Sequence, residues 1–457
     1  MKTSRRWIHH VVFLLGMFVA TVLSVSATVA LETDKLRIGT AREIITPELG
    51  GLIAGYGSNE PSRFVNDDLT VTAIAIEQGK HKVLLMSAAV CLINNDLIAK
   101  LRMLCGEAAG IPAANVIIAP SHTHSGPVMT SEYVDTIFIP KCVAVTVAAV
   151  KEMKPVTMGI ATTQSLVGIN RRQVRPNGTV ILGQNPWGPY DSEMTVISFK
   201  GEDGKTVANI VHATAHPTAV GIRPIISRDW PGVMIDRLEN ESGAMTLFFN
   251  GAKGDIAPRM SNGLSTGTGI SDAIEVGSLA GLDAVRAYKD IRVFRDETLS
   301  VVTGEVKLPH APIMSLEDAE SALAELDASP PGRWTGGLRR NLTGVIELHA
   351  KGETGESFFV YDQTLVRIGP VVFVPMPFEV SAEVSLRLRA YSKYGYTLVL
   401  GSANGSNSYL PTREQISIGG YEIDRFRAIG PKQLTDDADT HIINQNLVLM
   451  EKFVSGL

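Results

Sequence analysis

Two apolar runs that predict β-strands each lead directly into histidine. The run Asn115–Ala119 continues as Pro-Ser-His122-Thr-His124-Ser-Gly-Pro, and in an extended chain residues two apart project to the same face. His122 and His124 are therefore expected to point together at a strand end, where α/β folds usually keep their active sites. Paired imidazoles in this position favour metal binding or catalysis over a purely structural role.

The second histidine-bearing run is Val207–Thr214, which holds His212 and is followed by His216 and Pro217. Proline cannot continue the ladder of strand hydrogen bonds, so His216 stands at the end of the strand and is the better candidate ligand. His212 lies on the same face, deeper in the strand, and we interpret it as an outer support or a structural residue. Spacing alone does not decide between the two.

Two aspartates follow at positions that predict turns. Asp229 precedes a predicted helix, Val233–Glu239, where helix capping is the plain alternative to catalysis. Asp255 comes after the predicted strand Met245–Asn250, in a glycine-rich transition that brings backbone amides and one carboxylate to the same place. A simple turn explains that second motif equally well.

A glutamate and a tyrosine complete the candidate set. Glu379 follows the apolar strand Val371–Pro375 and stands where the predicted helix Val380–Arg389 begins, a position at which acidic residues commonly offset the helix dipole. Tyr409 follows a strong strand, Tyr396–Leu400, after a polar loop. Neither residue indicates a function when it is considered alone.

The elements that must position these side chains predict an α/β fold. Apolar β-rich runs alternate with helical patterns, and several strands are mostly apolar, as expected of strands covered on both faces. We predict a layered mixed β-sheet core flanked by helices, in one catalytic domain spanning residues 31–457, with a surface insertion near 310–340 made of a helix and a loop. Further strands are predicted at Val71–Ile76, Lys82–Met86 and Met194–Phe199, and helices at Asn95–Glu107 and Cys142–Lys151.

The composition excludes several classes of function. The 457-residue chain has a formal net charge of −5, and without a basic stripe it is not expected to bind nucleic acid. Its three cysteines are an odd number, which rules out a full disulfide framework in an exported protein. Buried free thiols are the expectation, and a single bridge stays open as an alternative.

The N-terminus predicts export. Residues 1–30 combine a basic start, an apolar run from Val11 to Val25 and small residues up to Ala30, which is the pattern of a secretory signal peptide. An uncleaved membrane anchor is the alternative, although the apolar run is short for a span. We expect a secreted or periplasmic protein with no later segment long and apolar enough to cross a bilayer.

A series of short motifs is spread along most of the chain. They are Ile44-Ile-Thr-Pro47, Gly55-Tyr-Gly57, Asp67-Asp-Leu69, the His122 motif, Gly168-Ile-Asn-Arg171, Asn185-Pro-Trp-Gly188 with Asp191, and the segments around His216, Asp255, Glu379 and Tyr409. In this order, from about Arg37 to Phe426, they resemble the catalytic domain of the neutral or alkaline, non-lysosomal ceramidase family. Each motif is a weak signal by itself. The resemblance rests on the occurrence of all of them in the same order.

The resemblance implies a zinc ion held by His122, His216, Glu379 and Tyr409. Two neutral imidazoles, one carboxylate and a phenolic oxygen suit the borderline character of zinc. A water molecule would take the open position that catalysis needs. Zn²⁺ is thus the expected cofactor.

The same resemblance implies roles for the neighbouring residues. His124 and Arg171 would stand beside the metal and bind the oxyanion or an acidic group of the substrate. Asp255 or Glu379 would move protons near the leaving group. The substrate itself is expected to be a small molecule or a lipid-like compound.

Two departures separate the chain from the ceramidases that it resembles. Ala257 stands where the family carries serine, and the chain ends at Leu457 where the family continues into an immunoglobulin-like module. A methyl group can be neither nucleophile nor hydroxyl donor. We therefore predict an exported zinc-dependent hydrolase that cleaves an amide or ester bond by zinc-activated water, and not an efficient ceramidase.

Two other functions stay open. The metal could serve hydrolysis of a sugar or cell-wall linkage, with Trp187, Trp230 or Trp334 stacked on sugar rings, although core packing explains the first two at least as well. The chain could also be a non-catalytic binding protein on the same scaffold. Because all four implied ligands are intact, we favour the enzyme.

Overall fold

The computed structural model describes residues 35–330, 332, 335–428 and 430–455. The predicted signal peptide, residues 1–30, lies outside these ranges. The strands are β1 Arg37–Ile44, β2 Phe64–Val65, β3 Thr70–Gln78, β4 His81–Ala88, β5 Val116–Pro120, β6 Lys154–Gln164, β7 Gly168–Val174, β8 Val180–Asn185, β9 Glu193–Gly201, β10 Thr206–Ala213, β11 Ile225–Ile226, β12 Met245–Asn250, β13 Ile256–Pro258, β14 Leu299–Pro309, β15 Phe358–Ile368, β16 Val371–Met376, β17 Glu379–Val380, β18 Tyr396–Gly401 and β19 Tyr409–Leu410.

Helices alternate with these strands along the chain. They are α1 Asn95–Ala109, α2 Ser131–Lys151 with a π-turn at Val134–Phe138, α3 Asp229–Ser242, α4 Ile270–Asp290, α5 Leu316–Ala328, α6 Thr335–Lys351, α7 Ala382–Tyr391, α8 Arg413–Ile418, α9 Tyr421–Arg427 and α10 Ala438–Ser455, with a 3-10 turn at Ala113–Asn115. The predicted α/β fold class is confirmed.

The main sheet has eight strands in the order β12-β10-β9-β6-β1-β3-β4-β5. The two outer pairs, β10 with β12 and β4 with β5, are parallel, and the inner pairs are antiparallel. A second sheet has the order β14-β15-β16-β18, in which only β16 and β18 run parallel. Both sheets are mixed, as the sequence predicts.

The two sheets pack face to face between two layers of helices. One buried cluster joins residues of both sheets, and the rings of Phe249 and Phe373 meet within it at 6.1 Å between centroids. Helices α1 to α4 cover the other face of the main sheet, while α7 and α10 cover the other face of the second sheet. The strands are therefore buried on both sides, which accounts for their apolar composition.

Helix α1 shows how local sequence fixes the ends of an element. The Asn94 side chain accepts a hydrogen bond from the backbone amide of Leu97 at the N-terminus, and Gly110 ends the helix in the left-handed region at φ 65°. Both are favoured capping residues because they satisfy orphan backbone groups. The buried face of the helix includes Leu97, Leu101 and Cys105, which pack against the main sheet.

Helix α2 is the one helix among the described residues with the length and hydropathy of a membrane span. The expectation that no segment after the leader has this character therefore missed it. Phe138, Cys142, Val145 and Ala149 on this helix are buried in the core beneath the main sheet. Packing in the core accounts for its composition, so the helix is weak evidence for a span.

The segment between β14 and β15 forms two helices, α5 and α6. The sequence predicted one helix and a loop near residues 310–340. The second helix begins just after Ser329-Pro-Pro-Gly332 and contains Gly336 and Gly337, which are residues typical of loops. Its interior is nevertheless anchored by buried Leu342, Val345 and Leu348.

Candidate metal centre

His122 is held in an uncommon backbone conformation just beyond the end of β5. Its φ is 74°, a region that costs a residue other than glycine roughly 1–3 kcal/mol and that persists only where the surroundings enforce it. The ring is buried, and its Nδ1 lies 2.8 Å from the backbone oxygen of Cys91. The described residues other than glycine with positive φ are His122, Asp229, Ser402, Asn404 and Ser408.

His216 follows β10 and meets Glu379 from the start of β17. The Nε2 atom of His216 lies 3.0 Å from Oε2 of Glu379, and Nε2 of His122 lies 3.2 Å from the same oxygen. All three side chains are buried, and their donor atoms lie within 4.8 Å of one another. Three of the four implied zinc ligands thus converge on one point.

The tautomers of the two imidazoles follow from their outer nitrogens. A backbone carbonyl can only accept, so Nδ1 of His122 donates to the oxygen of Cys91 and Nδ1 of His216 donates to the oxygen of Ile256 at 3.0 Å. In the neutral rings the proton is then on Nδ1, and each Nε2 presents a lone pair to Glu379. In these tautomers a carboxylate oxygen and two lone pairs face one another.

This arrangement fits a metal ion. Ligand atoms bound to one tetrahedral zinc ion at about 2.0–2.2 Å lie about 3.3–3.6 Å apart, and the observed separations from Glu379 Oε2 are 3.0 and 3.2 Å. Burial lowers the pKa of His216 to about 3 and also lowers that of His122. Neutral imidazoles are the form that binds metal.

Tyr409 lies beside Glu379 because β17 and β19 pair in parallel with these two residues in register. The phenol oxygen of Tyr409 accepts a hydrogen bond of 3.1 Å from Nη2 of Arg171. Arg171 reaches it from β7, and Glu422 holds the guanidinium by a 2.8 Å contact to Nε. Although burial opposes the charge, Tyr409 and Glu422 raise the pKa of Arg171, which stays a cation.

His124 borders the three converging side chains. Its Nε2 lies 3.4 Å from Nε2 of His122, while its Nδ1 is buried without a hydrogen-bond partner. Gly55 packs on this ring so closely that a Cβ there would lie 2.4 Å from Nδ1, and the ring of Tyr56 meets it edge-on at 4.8 Å. Burial lowers the pKa of His124 well below its usual value, so the ring is neutral.

Comparison with known proteins gives a clear likeness among solved structures. No protein-family model matches the chain, and no curated protein matches it. Among solved structures, neutral ceramidase from Pseudomonas aeruginosa superimposes with a TM-score of 0.71 at 18% identity, covering 93% of this chain and 75% of that one. A structure described as ceramidase complexed with C2 gives 0.68 at 17% identity, covering 93% and 76%. The fold is that of the neutral ceramidases.

Ala257 occupies a closed position in this ceramidase-like fold. It lies in β13, opposite Ile169 of β7, and is fully buried. The sequence resemblance predicts serine at this position in the family. The methyl side chain of Ala257 can neither donate nor accept a hydrogen bond, so a nucleophile or proton donor has to come from another residue.

Asp255 is enclosed by hydrogen-bond donors. Its carboxylate accepts bonds of 3.0 Å from Asn170, 2.8 Å from Gln415 and 2.8 Å from the backbone amide of Ala382. Its backbone oxygen accepts a 2.8 Å bond from the amide of Arg171. Asp255 thus ties β7 to the segment after Glu379, and its role as a proton carrier stays a prediction.

Asp229 begins α3 and fixes the segment that carries His216. Its carboxylate accepts backbone hydrogen bonds from Ala219 at 3.1 Å, Val220 at 2.8 Å and Trp230 at 2.7 Å. The indole of Trp230 donates to the backbone oxygen of His216 at 3.1 Å. Burial raises the pKa of Asp229 to about 6, and the three amides oppose that rise. The sequence-based interpretation of this residue as a cap is wrong, because Arg228 occupies the N-cap position and two of the three amides bound by Asp229 belong to the segment after His216.

Substituting alanine for Asp229 should lower the free energy of unfolding by about 3 kcal/mol, because buried amides lose a charged acceptor. Alanine is also disfavoured at the φ of 60° that Asp229 adopts. Asn tolerates that conformation and keeps one acceptor, so D229N should lose roughly 1–2 kcal/mol. Urea unfolding followed by circular dichroism measures both. Equal losses for the two variants would contradict the proposed contacts.

The remaining histidine and tryptophan candidates contribute no side-chain atom to the converging ligands. His212 is buried, with Nε2 2.8 Å from the backbone oxygen of Val399, which is a structural contact. Trp230 is buried in the core and Trp187 is 93% exposed on a turn. Trp334 lies outside the described residues. Neither described tryptophan lines an enclosed sugar site.

The sequence did not single out three residues that build this centre. Cys91 contributes its backbone oxygen to His122, and Glu422 holds both Arg171 at 2.8 Å and Arg172 at 2.7 Å. Lys253 is fully buried and donates a 2.8 Å hydrogen bond to the hydroxyl of Ser402. The sequence offered one signal for Cys91. It follows the predicted strand Lys82–Met86, which corresponds to β4, and β4 pairs with β5, the strand that precedes His122.

Proposed function

We propose that the chain is an exported, zinc-dependent hydrolase that cleaves an amide or ester bond. The observation that carries this proposal is the convergence of His122 Nε2, His216 Nε2 and Glu379 Oε2, with both Nδ1 atoms donating to backbone oxygens. Two lone pairs and a carboxylate in a buried position favour a bound cation, and this donor set suits zinc. Tyr409 would complete the set.

A bound zinc ion would lower the pKa of a water molecule and polarise a carbonyl oxygen, which makes a serine hydroxyl unnecessary. The fixed guanidinium of Arg171, oriented by Glu422, would stabilise the oxyanion that develops on the substrate. His124 stands beside the ligands as a neutral ring and would bind the same oxygen or an acidic group. This division of roles accommodates the alanine at position 257.

The substrate class rests on the ceramidase-like fold and on a cavity next to the chain segment that follows His124. A cavity of about 310 Å³ includes Leu49, Leu52, Pro127, Val128 and Tyr133 in its lining. Pro127 and Val128 of this lining follow His124 in the chain, and the amide of Val128 donates to the backbone oxygen of Leu52 at 2.9 Å. A partly apolar cavity of this kind supports a substrate with an acyl or other lipid-like group.

Chelation of the purified protein tests the proposal. The protein should hold one zinc ion per chain and should hydrolyse at least one member of a panel of fluorogenic acyl amides, acyl esters and ceramide. Removing zinc by dialysis against a chelator should abolish turnover, and added Zn²⁺ but not Mg²⁺ should restore it. Metal content is measured by mass spectrometry and turnover by fluorescence.

The outcomes separate the competing functions. A zinc-free protein with undiminished turnover would refute zinc dependence. Bound zinc together with turnover of glycosides alone would favour a sugar linkage. Bound zinc without turnover of any amide, ester or glycoside would favour a binding protein that retains the metal for structure.

A further inference from the structure

The cavity of about 310 Å³ lies between the loop after β1 and the start of helix α2. Its lining is mostly apolar, and Leu49, Leu52 and Val128 within it are each at least 40% exposed. Its volume is at the lower end of the roughly 300–1,000 Å³ that small-molecule sites occupy. Large apolar side chains left open around one concavity favour contact with an apolar ligand.

Two glutamates and no basic residue belong to the same lining. Glu48 precedes Leu49 in the loop, and Glu132 lies in the first turn of α2. Within the part of the chain that the structure describes, neither carboxylate has an ion pair or a hydrogen bond. An acidic residue in the first turn of a helix also offsets the helix dipole, but Glu48 lies in no helix and has no such explanation.

The basic side chains on the adjoining segments have partners of their own. Arg63 follows Ser62 of the lining, and its guanidinium contacts Glu60 at 3.3 Å. Lys141 lies further along α2 and contacts Glu43 at 2.7 Å. The two carboxylates of the cavity therefore leave a local surplus of negative charge, which attracts a cation over distances up to the screening length of the solution.

We propose that this cavity binds a cationic amphiphile, with an alkyl chain against the apolar lining and an ammonium group beside Glu48 and Glu132. This ligand class rests on the proposed function in one respect, since it makes the substrate an acyl amide or ester that also carries a positive charge. An uncharged lipid such as ceramide would use only the apolar part of the cavity. Charge complementarity therefore separates the expected ligand from uncharged lipids of equal chain length.

Calorimetric titration with decyltrimethylammonium, below its micellar concentration, tests this site without reference to turnover. Decanoate and an uncharged decyl glycoside are the comparison probes, and circular dichroism confirms that the protein stays folded. We expect the ammonium probe to bind at least about tenfold more tightly than decanoate, and less tightly as salt is raised, because the charges are accessible to solvent. Removing two methylenes from the chain should weaken binding about 15-fold, since each buried methylene contributes about fourfold.

The double variant E48Q/E132Q should bind the ammonium probe about 3-fold to 25-fold more weakly, because each exposed carboxylate contributes at most about fivefold. Its affinity for the uncharged probe should not change. E317Q/E320Q is the matched control, since Glu317 and Glu320 are exposed on helix α5, outside the cavity lining, and their loss changes the net charge equally. V128W narrows the cavity and should weaken binding of all three probes.

The failure of this site and the failure of the proposed function are distinguishable. Equal affinities for decyltrimethylammonium and decanoate would overturn the cation site, and so would an unchanged affinity in E48Q/E132Q or in V128W. Zinc-dependent turnover together with such a result would leave the proposed function standing. Selective binding of the ammonium probe by a protein that holds no zinc would support the cation site and overturn zinc-dependent hydrolysis alone.

Discussion

Alanine at both His122 and His216 should leave a folded protein that binds no zinc and turns over its substrate at least about 1,000-fold more slowly, since the metal supplies several kcal/mol of transition-state stabilisation. The reason is geometric. Each imidazole is oriented by a backbone oxygen so that its lone pair meets Glu379 Oε2 at 3.0–3.2 Å. Without these rings a lone carboxylate and a phenol remain, which do not hold zinc tightly.

The matched control for this double variant is His212→Ala. His212 lies in β10, four positions before His216, and is equally buried, yet its Nε2 contacts the oxygen of Val399. Its loss should lower stability and leave zinc content and turnover in the folded fraction unchanged. Metal analysis and circular dichroism are measured on both proteins.

A third variant distinguishes loss of zinc binding from loss of folding. The double alanine variant leaves the buried charge of Glu379 unpaired, which can unfold the chain. Glu379→Gln removes that charge with little change of shape and should also lose zinc. Retention of stoichiometric zinc by both the double variant and E379Q would contradict the metal centre.

Several strands around this centre were predictable because each is a mostly apolar run between turn residues. The prediction of Met245–Asn250 coincides with β12, and that of Val207–Thr214 is displaced by one residue from β10. Burial on both faces produces such runs. The same pattern placed His122 and His216 at the ends of predicted strands.

Helix boundaries were less predictable, and α3 shows why. The sequence placed its start at Val233 because Pro231 and Gly232 usually interrupt helices. The structure begins the helix at Asp229, since proline is tolerated in the first turn, where the amide has no intrahelical partner. The carboxylate of Asp229 and the indole of Trp230 fix this early start by tertiary contacts.

The convergence of the ligands could not be read from spacing. His216 and Glu379 are 163 positions apart, and only the resemblance to ceramidases joined them. Glu422 carried no sequence signal at all, because a single acidic residue in a polar helix is ordinary. Its importance comes from tertiary structure, which places it between two buried arginines.

The pair of arginines on β7 allows the chemistry of Arg171 to be separated from its structural role. Glu422 receives Arg171 on Oε1 at 2.8 Å and Arg172 on Oε2 at 2.7 Å, and all three side chains are buried. Breaking either buried pair should lower the free energy of unfolding by about 3–5 kcal/mol. Only Arg171 also reaches the phenol of Tyr409.

R171M should therefore retain zinc and lose about 100-fold to 1,000-fold in kcat, because the fixed donor for the developing oxyanion is removed. R172M should lose comparable stability while its kcat stays within about threefold, since Arg172 contacts Glu422 and the oxygen of Gly419 rather than the ligands. Urea unfolding, metal analysis and steady-state kinetics on the two variants make the comparison. Equal losses of kcat would show that Arg171 acts only by holding the fold, and the oxyanion role would then have to pass to His124.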